Sequence, residues 1–266
     1  MTLKIDTQSP AVKAEFDGRV GWITFNDPAR HNTMTSAMWG ALPAAVAGLL
    51  GDSAVRVIVL KGAGDKAFVS GADISEFESH AKDPACAAAY DQILQDAVSA
   101  LRNAPCPVIA MINGYCIGGG MSLALASDIR IASHDATFAI PAARLGLAYP
   151  KHMIADLVSV AGTALAKELL FTARRLNADE ALARGLINNV VDKGELERET
   201  KNLAAIICDN APLTLTAAKR AIDFISKDTG SEFAVDQLAE TCANSADTGE
   251  GRAAFAEKRP PVFTGT

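Results

Sequence analysis

The chain has 266 residues, 49% of them hydrophobic, enough to bury a sizeable core as one large domain or one domain with a satellite. Its 25 basic and 31 acidic residues give a formal net charge of −6, and no long basic run is present to follow a phosphate backbone, which argues against a nucleic-acid partner. The opening MTLKIDTQSPAVKAEF has no apolar leader with a small-residue cleavage site, and no segment reaches the run of about 18 apolar residues that a membrane span requires, so a cytoplasmic protein is expected.

Ala14 to Phe25 alternates around Asp17-Gly18 and predicts a hairpin, followed by an amphipathic helix from Thr35 to Leu50 with Ser/Thr capping candidates at its start. VRVIVLKGAG, Val55 to Gly64, reads as a buried strand. It runs on into DKAFVSGADISEF, Asp65 to Phe77, where Gly71 precedes a short apolar and acidic helix start. Pro84 to Arg102 has helical spacing in Ala87, Tyr90, Ile93, Leu94, Val98 and Leu101, and stops before Pro105 and Pro107. The strand-like run PVIAMINGYCI then leads through Gly118-Gly119-Gly120 into the helix-like MSLALASDIRIAS, with short strands at Ile129 to Ala132 and Thr137 to Ile140.

Further helices are expected over Gly162 to Thr172 and Asn177 to Arg184, with a short apolar run at Ile187 to Val191. Pro212 to Ile225, Glu232 to Ala243 and Gly249 to Lys258 read as an Ala-rich helical tail. The change near Asn210 divides a strand-and-helix core, 1–210, from a helical region, 211–266. On this pattern alone the fold is mixed α/β. The five cysteines, Cys86, Cys106, Cys116, Cys208 and Cys242, are scattered without a C-x-x-C pair, so they predict buried small hydrophobes rather than a disulfide framework or a zinc site.

The glycine turns are the most informative features. Glycines where a strand hands over to a helix allow close backbone approach, and the first helical N–H groups have no intrahelical partner, which suits a developing oxyanion. The turns at Gly71 and Gly118-Gly119-Gly120 could aim two N–H groups at one atom; tight packing of helix on strand is the alternative explanation for either turn alone.

KAFVSGADISEF, PVIAMINGYCIGGGMSLALASDIRIAS and TFAIPAARLGLAYP together resemble the crotonase (enoyl-CoA hydratase/isomerase) superfamily. The likeness runs from RVGWITFNDPARHNTMTSAM, Arg19 to Met38, to GEGRAAFAEKRPPVF, Gly249 to Phe263. The resemblance implies a spiral α/β core of repeated strand-strand-helix units, a C-terminal helical region that builds a homotrimer or a dimer of trimers, and an acyl-CoA substrate. No cofactor is implied, CoA being part of the substrate.

By the same resemblance, the backbone N–H groups of Ala72 and Gly119 are the two oxyanion donors. CoA binding falls to Arg30, to the segment around Ser70, Ala72, Asp73 and Ile74, and to Phe255 and Lys258; the other explanation for Arg30 and Lys258 is an ordinary solvated charge. The departures are chemically larger. Where hydratases of the family carry two catalytic glutamates, this chain has Ser122 and Ala142. A positioned acid or base supplies roughly 10²- to 10⁴-fold, so standard hydration is expected to be weak or absent.

Three readings follow: an acyl-CoA enzyme working through a thioester enolate without standard hydration, a malonyl-type acyl-CoA decarboxylase, and a CoA-ester binding protein that has lost catalysis. For the second, the chain is similar to the family's methylmalonyl-CoA decarboxylase branch through LGLAYP and AKELLFTA, and Tyr149 falls where that branch has a tyrosine proposed to act near the carboxylate or as proton donor, although the branch has a histidine where this chain has Ala72. A packing role is the ordinary alternative for Tyr149. Lys151 and His152, adjacent to its loop, could supply a cation or an acid for a carboxylate substrate, a solvated loop being the alternative. Glu76 and Glu78 could reach the pocket from another angle, a solvated helix face being the alternative. His31, His80 and His134 show no metal spacing. GYCIGGG is out of register for a dinucleotide fingerprint, and KGAGDKAF lacks the ending of a P-loop.

Overall fold

The structure is a computed structural model that describes residues 3–52, 54–76, 83–227 and 230–266. The hairpin expected at the start forms with an added edge strand: β1 (Leu3–Ile5), β2 (Val12–Asp17) and β3 (Val20–Phe25) are antiparallel neighbours, and Gly18 takes φ +60° in the turn. Helix α1 (Ser36–Leu50) follows, its Thr35 Oγ1 accepting from the Met38 N–H at 3.2 Å.

From there each buried strand is followed by a short strand that leaves its plane: β4 (Val57–Gly62) by β5 (Ala67–Val69), β6 (Val108–Ile112) by β7 (Tyr115–Ile117), and β8 (Ile129–Ser133) by β9 (Thr137–Ala139). With β10 (Leu176–Asn177) and β11 (Asn189–Val191), the described strands make one sheet ordered β1-β2-β3-β4-β6-β8-β11 and a second ordered β10-β9-β7-β5. From β3 onward the first sheet is parallel.

Helices fill the connections. They are α2 (Pro84–Arg102), α3 (Gly119–Ala126), α4 (Lys151–Thr172), α5 (Ala178–Ala183) and α6 (Leu196–Cys208), then α7 (Pro212–Lys227), α8 (Glu232–Ala243) and α9 (Ala246–Glu257). Because the parallel strands are covered on both faces, their side chains divide between two cores. Ile58 and Leu60 join Trp39, Leu42 and Leu101 on the α1/α2 side, while Val57 and Val59 pack with Ile109, Leu196 and Ile207 beneath α6.

Two expectations from the sequence are corrected here. PVIAMINGYCI is two strands in different sheets, because Gly114 turns the chain at φ +57°, where a Cβ would lie 2.0 Å from the Lys66 carbonyl oxygen. Lys151 and His152 are the first residues of α4 rather than a solvated loop; Gly162, at φ +72°, interrupts that helix, so only its second half carried a clean periodic signal. Phe77, Glu78 and His80 lie outside the described residues. No helix among the described residues is long and apolar enough to cross a membrane, and none of the described side chains form a metal-holding cluster.

Candidate active site

Strand β5 delivers the chain to Gly71 at φ +127°, and Ala72 then bridges Met34 in parallel fashion. The Met34 N–H donates to the Gly71 carbonyl at 2.8 Å, and the Asp73 N–H donates to the Met34 carbonyl at 2.9 Å. A parallel bridge uses the groups that flank the bridged residue, so the N–H of Ala72 itself faces the opposite side.

Strand β7 delivers the second turn. Gly118 takes φ +53°, its N–H donates to the Ala139 carbonyl at 2.9 Å, and Gly119 opens α3, where a first-turn N–H has no intrahelical acceptor. The two turns abut: a Cβ built on Gly119 would lie 3.6 Å from the Ala72 nitrogen and 2.8 Å from Trp39 Cζ2. On Gly120 a Cβ would lie 2.3 Å from the Val69 carbonyl oxygen, so α3 can seat on β5 only with glycine there. Close packing of α3 on β5 and a first-turn N–H without an intrahelical partner are therefore properties of the same turn.

Both turns border one cavity of about 450 Å³, which Ser70, Gly71, Ala72, Ile74, Gly118 and Gly119 line at one end. The remaining wall is largely apolar, from Ile140 and Pro141, Leu145 and Leu147, and Leu94 and Met153. Ala142, half-buried, lines it too, whereas Ser122 is buried at 1% exposure behind Tyr149.

Tyr149 closes the wall with its phenol oxygen 2.5 Å from Ser122 Oγ, and its O–H donates to the Gly118 carbonyl at 3.1 Å. Ser122 Oγ also lies 2.9 Å from Met153 Sδ. Burial pushes the Tyr149 phenol well above its ordinary range, only partly offset by the hydrogen bond from Ser122. The tyrosine is thus neutral and a proton holder.

Asp73 lies behind the first turn, where Arg30 meets it at 2.5 Å and Ser75 donates from its N–H at 3.1 Å and its hydroxyl at 2.7 Å. The Arg30 hydrogen bond first, and then Ser75, holds the Asp73 carboxyl below its ordinary range. Arg30, half-exposed, is therefore braced against the Ala72 turn, and Thr33 Oγ1 lies 2.9 Å from Ser70 Oγ on the same side. Phe255 and Lys258 are elsewhere: Phe255 is exposed on α9, Lys258 ends that helix at φ +55°, and neither lines the cavity.

Glu76 does not sit on a solvated face. It is half-buried, and one of its oxygens accepts from both the N–H and the hydroxyl of Ser36 at 2.7 Å, at the start of α1. His152 has its Nε2 buried without a hydrogen-bond partner among the described residues. Burial, and then the charge of Arg102, lowers its pKa. Arg102 in turn pairs with Asp156 at 2.5 Å between α2 and α4.

Several lining residues were not among the candidates from the sequence, Trp39, Tyr90 and Asp91 among them. Trp39 is 1% exposed and its Nε1 has no partner among the described residues. Burial, followed by the charges of Glu76, Asp73 and Asp91, pushes the Tyr90 phenol up to about 12. A signal for Asp91 was present, since it stands four residues after Ala87 and three before Leu94, on the apolar stripe of α2.

The profile of the family described as enoyl-CoA hydratase/isomerase matches residues 15–266. The chain is similar to the short-chain-enoyl-CoA hydratase of Clostridium acetobutylicum, 35% identical over 248 residues that cover 92% of this chain and 94% of that protein. It is also 32% identical to the methylmalonyl-CoA decarboxylase of Escherichia coli over 252 residues, 93% of this chain and 95% of the other. Among solved structures, an enoyl-CoA hydratase/carnithine racemase from Magnetospirillum magneticum superposes with a TM-score of 0.92 at 35% identity, covering 97% of each chain.

Proposed function

This chain belongs to the enoyl-CoA hydratase/isomerase family, and from that premise we propose that it is an enzyme that converts an acyl-CoA thioester through an enolate, by a reaction other than hydration. The thioester oxygen accepts from the N–H groups of Ala72 and Gly119. When charge develops at the α-carbon it moves onto that oxygen, and donors already oriented in a largely apolar cavity stabilise it without reorganising. The observation that carries this reading is the abutment of the two turns, with the Ala72 nitrogen 3.6 Å from the Cβ position of Gly119.

Water addition needs a base for the water and an acid for the α-carbon. Position 142 cannot titrate, and the hydroxyl at position 122 is engaged by Tyr149 and Met153. Arg30 supplies positive charge for the CoA phosphates beside the Ala72 turn. Phe255 and Lys258 complete CoA binding in an assembled trimer or dimer of trimers, a reading supported by the exposed apolar side chains of Ile222, Ile225 and Phe233 on the C-terminal helices.

One observation favours a second reading, loss of CO₂ from a malonyl-type ester: the half-buried, neutral phenol of Tyr149 at the cavity wall. The bond from the α-carbon to the carboxylate breaks, CO₂ leaves, and the electron pair passes to the thioester oxygen. Tyr149 then gives its proton to the α-carbon, and the phenol is restored by a proton from solvent. An apolar wall favours this step because it strips water from the reacting carboxylate.

Incubating the protein with a panel of acyl-CoA esters in D₂O and reading products by mass spectrometry separates the outcomes. Deuterium at the α-carbon or loss of CO₂ is expected; added water as the main product contradicts the proposal, and binding without any turnover identifies a CoA-ester binding protein instead. For the second reading, Tyr149→Phe is expected to lower CO₂ release by about 10²-fold or more, as for loss of a positioned proton donor. Undiminished release would remove the tyrosine from the mechanism.

A further inference from the structure

We propose that Asp91 selects the acyl group, and that this group carries a hydrogen-bond donor, a hydroxyl or an ammonium, at the end remote from the thioester. The inference rests on the acyl-CoA reading above. Among the described residues that line the cavity, Asp91 is the one with a full charge. It projects from α2, beside Tyr90 and Leu94, whereas the paired N–H groups come from the turns after β5 and β7. A ligand whose thioester lies against Ala72 and Gly119 therefore meets Asp91 with another part of its acyl group.

Nothing described on that wall neutralises the carboxylate. Arg102 is committed to Asp156, Arg30 to Asp73, and burial disfavours the charged form of His152. Asp91 is exposed, so its carboxylate is open to water. An acyl chain of methylenes laid over it would remove that water and return nothing, which is costly for an ionised group. A hydroxyl or ammonium replaces the lost hydrogen bond with a charge-assisted one, and a second carboxylate at that end adds repulsion between like charges. The carboxylate of a malonyl-type ester is attached at the α-carbon beside the thioester, so selection at the α2 wall applies to the rest of its acyl group.

The test is calorimetric binding of CoA esters of equal chain length that end in methyl, hydroxyl, amino or carboxylate, using the full chain and Asp91→Asn. The wild-type protein is expected to bind the hydroxyl or amino ester at least about tenfold more tightly than the methyl ester, with the carboxylate weakest. The hydroxyl and amino arms identify which donor is preferred. In Asp91→Asn the discrimination against the carboxylate ester should largely vanish and that against the methyl ester shrink, while acetyl-CoA, whose acyl group ends one carbon beyond the thioester carbon, binds both proteins alike. A wild-type preference for the methyl ester, an unchanged order in Asp91→Asn, or an equal loss of acetyl-CoA binding would each overturn the proposal. Enolate chemistry is read separately by deuterium incorporation, so a protein that binds in the expected order but exchanges nothing retains this selectivity and loses the catalytic reading.

Discussion

Ala72→Pro is expected to lower turnover of any acyl-CoA substrate by roughly 10²- to 10³-fold, the effect of deleting one oxyanion donor. The substitution removes that N–H, puts the proline Cδ in its place at the cavity edge and fixes φ at position 72. The bridge to Met34 is made by the Gly71 carbonyl and the Asp73 N–H, so a proline at position 72 leaves both bonds in place. The residue before a proline is restricted by clashes with its backbone N–H and its Cβ, and here that residue is glycine, which removes the second of these. Thermal unfolding and CoA binding of the variant should remain close to wild type while the chemical step collapses. Undiminished turnover in a folded variant would remove Ala72 from catalysis. Gly119→Ala is a poorer probe, because its Cβ would strike the Trp39 ring at 2.8 Å and disturb packing as well as chemistry.

The second large effect concerns hydration of crotonyl-CoA. The wild-type protein is expected to show negligible activity, and Ser122→Glu combined with Ala142→Glu to raise it by about 10²- to 10⁴-fold, the range of a positioned acid and base. Position 142 lines the cavity, so a carboxylate there has room. Position 122 is tighter: its hydroxyl is 2.5 Å from the Tyr149 phenol, and a longer side chain must displace that ring at a stability cost of about 1–3 kcal/mol. A spectrophotometric assay of the enoyl double bond reads both proteins. Hydration by wild type at the rate of an ordinary hydratase, or no gain in a folded, CoA-binding double variant, would contradict the positional assignment.

The parts of this fold that were legible in the sequence are those set by local chemistry. The Asp17-Gly18 turn, the Thr35 cap and the helix over Pro84–Arg102 each depend on a few adjacent residues, and each forms where its pattern stands. The pairing of strands into two sheets was not legible, because β6 and β7 share one apolar run and differ only in which neighbours they meet beyond Gly114. Similarly, the two glycine turns announced backbone donors, but their abutment depends on β5 and β7 lying side by side in the second sheet. Asp91 escaped notice for a related reason: an acidic residue on an apolar helical stripe has meaning only once the stripe is seen to face a cavity. Phe255 and Lys258 illustrate the reverse, since family likeness placed them at the CoA site while a single chain leaves Phe255 exposed and both outside the cavity.

The most direct measurement is a crystal structure of the protein with a bound acyl-CoA. The thioester oxygen is expected about 2.7–3.1 Å from the backbone nitrogens of both Ala72 and Gly119, with the acyl group directed into the cavity toward α2. A thioester oxygen hydrogen-bonded to neither nitrogen, or CoA bound outside this cavity, would contradict enolate stabilisation by the two turns.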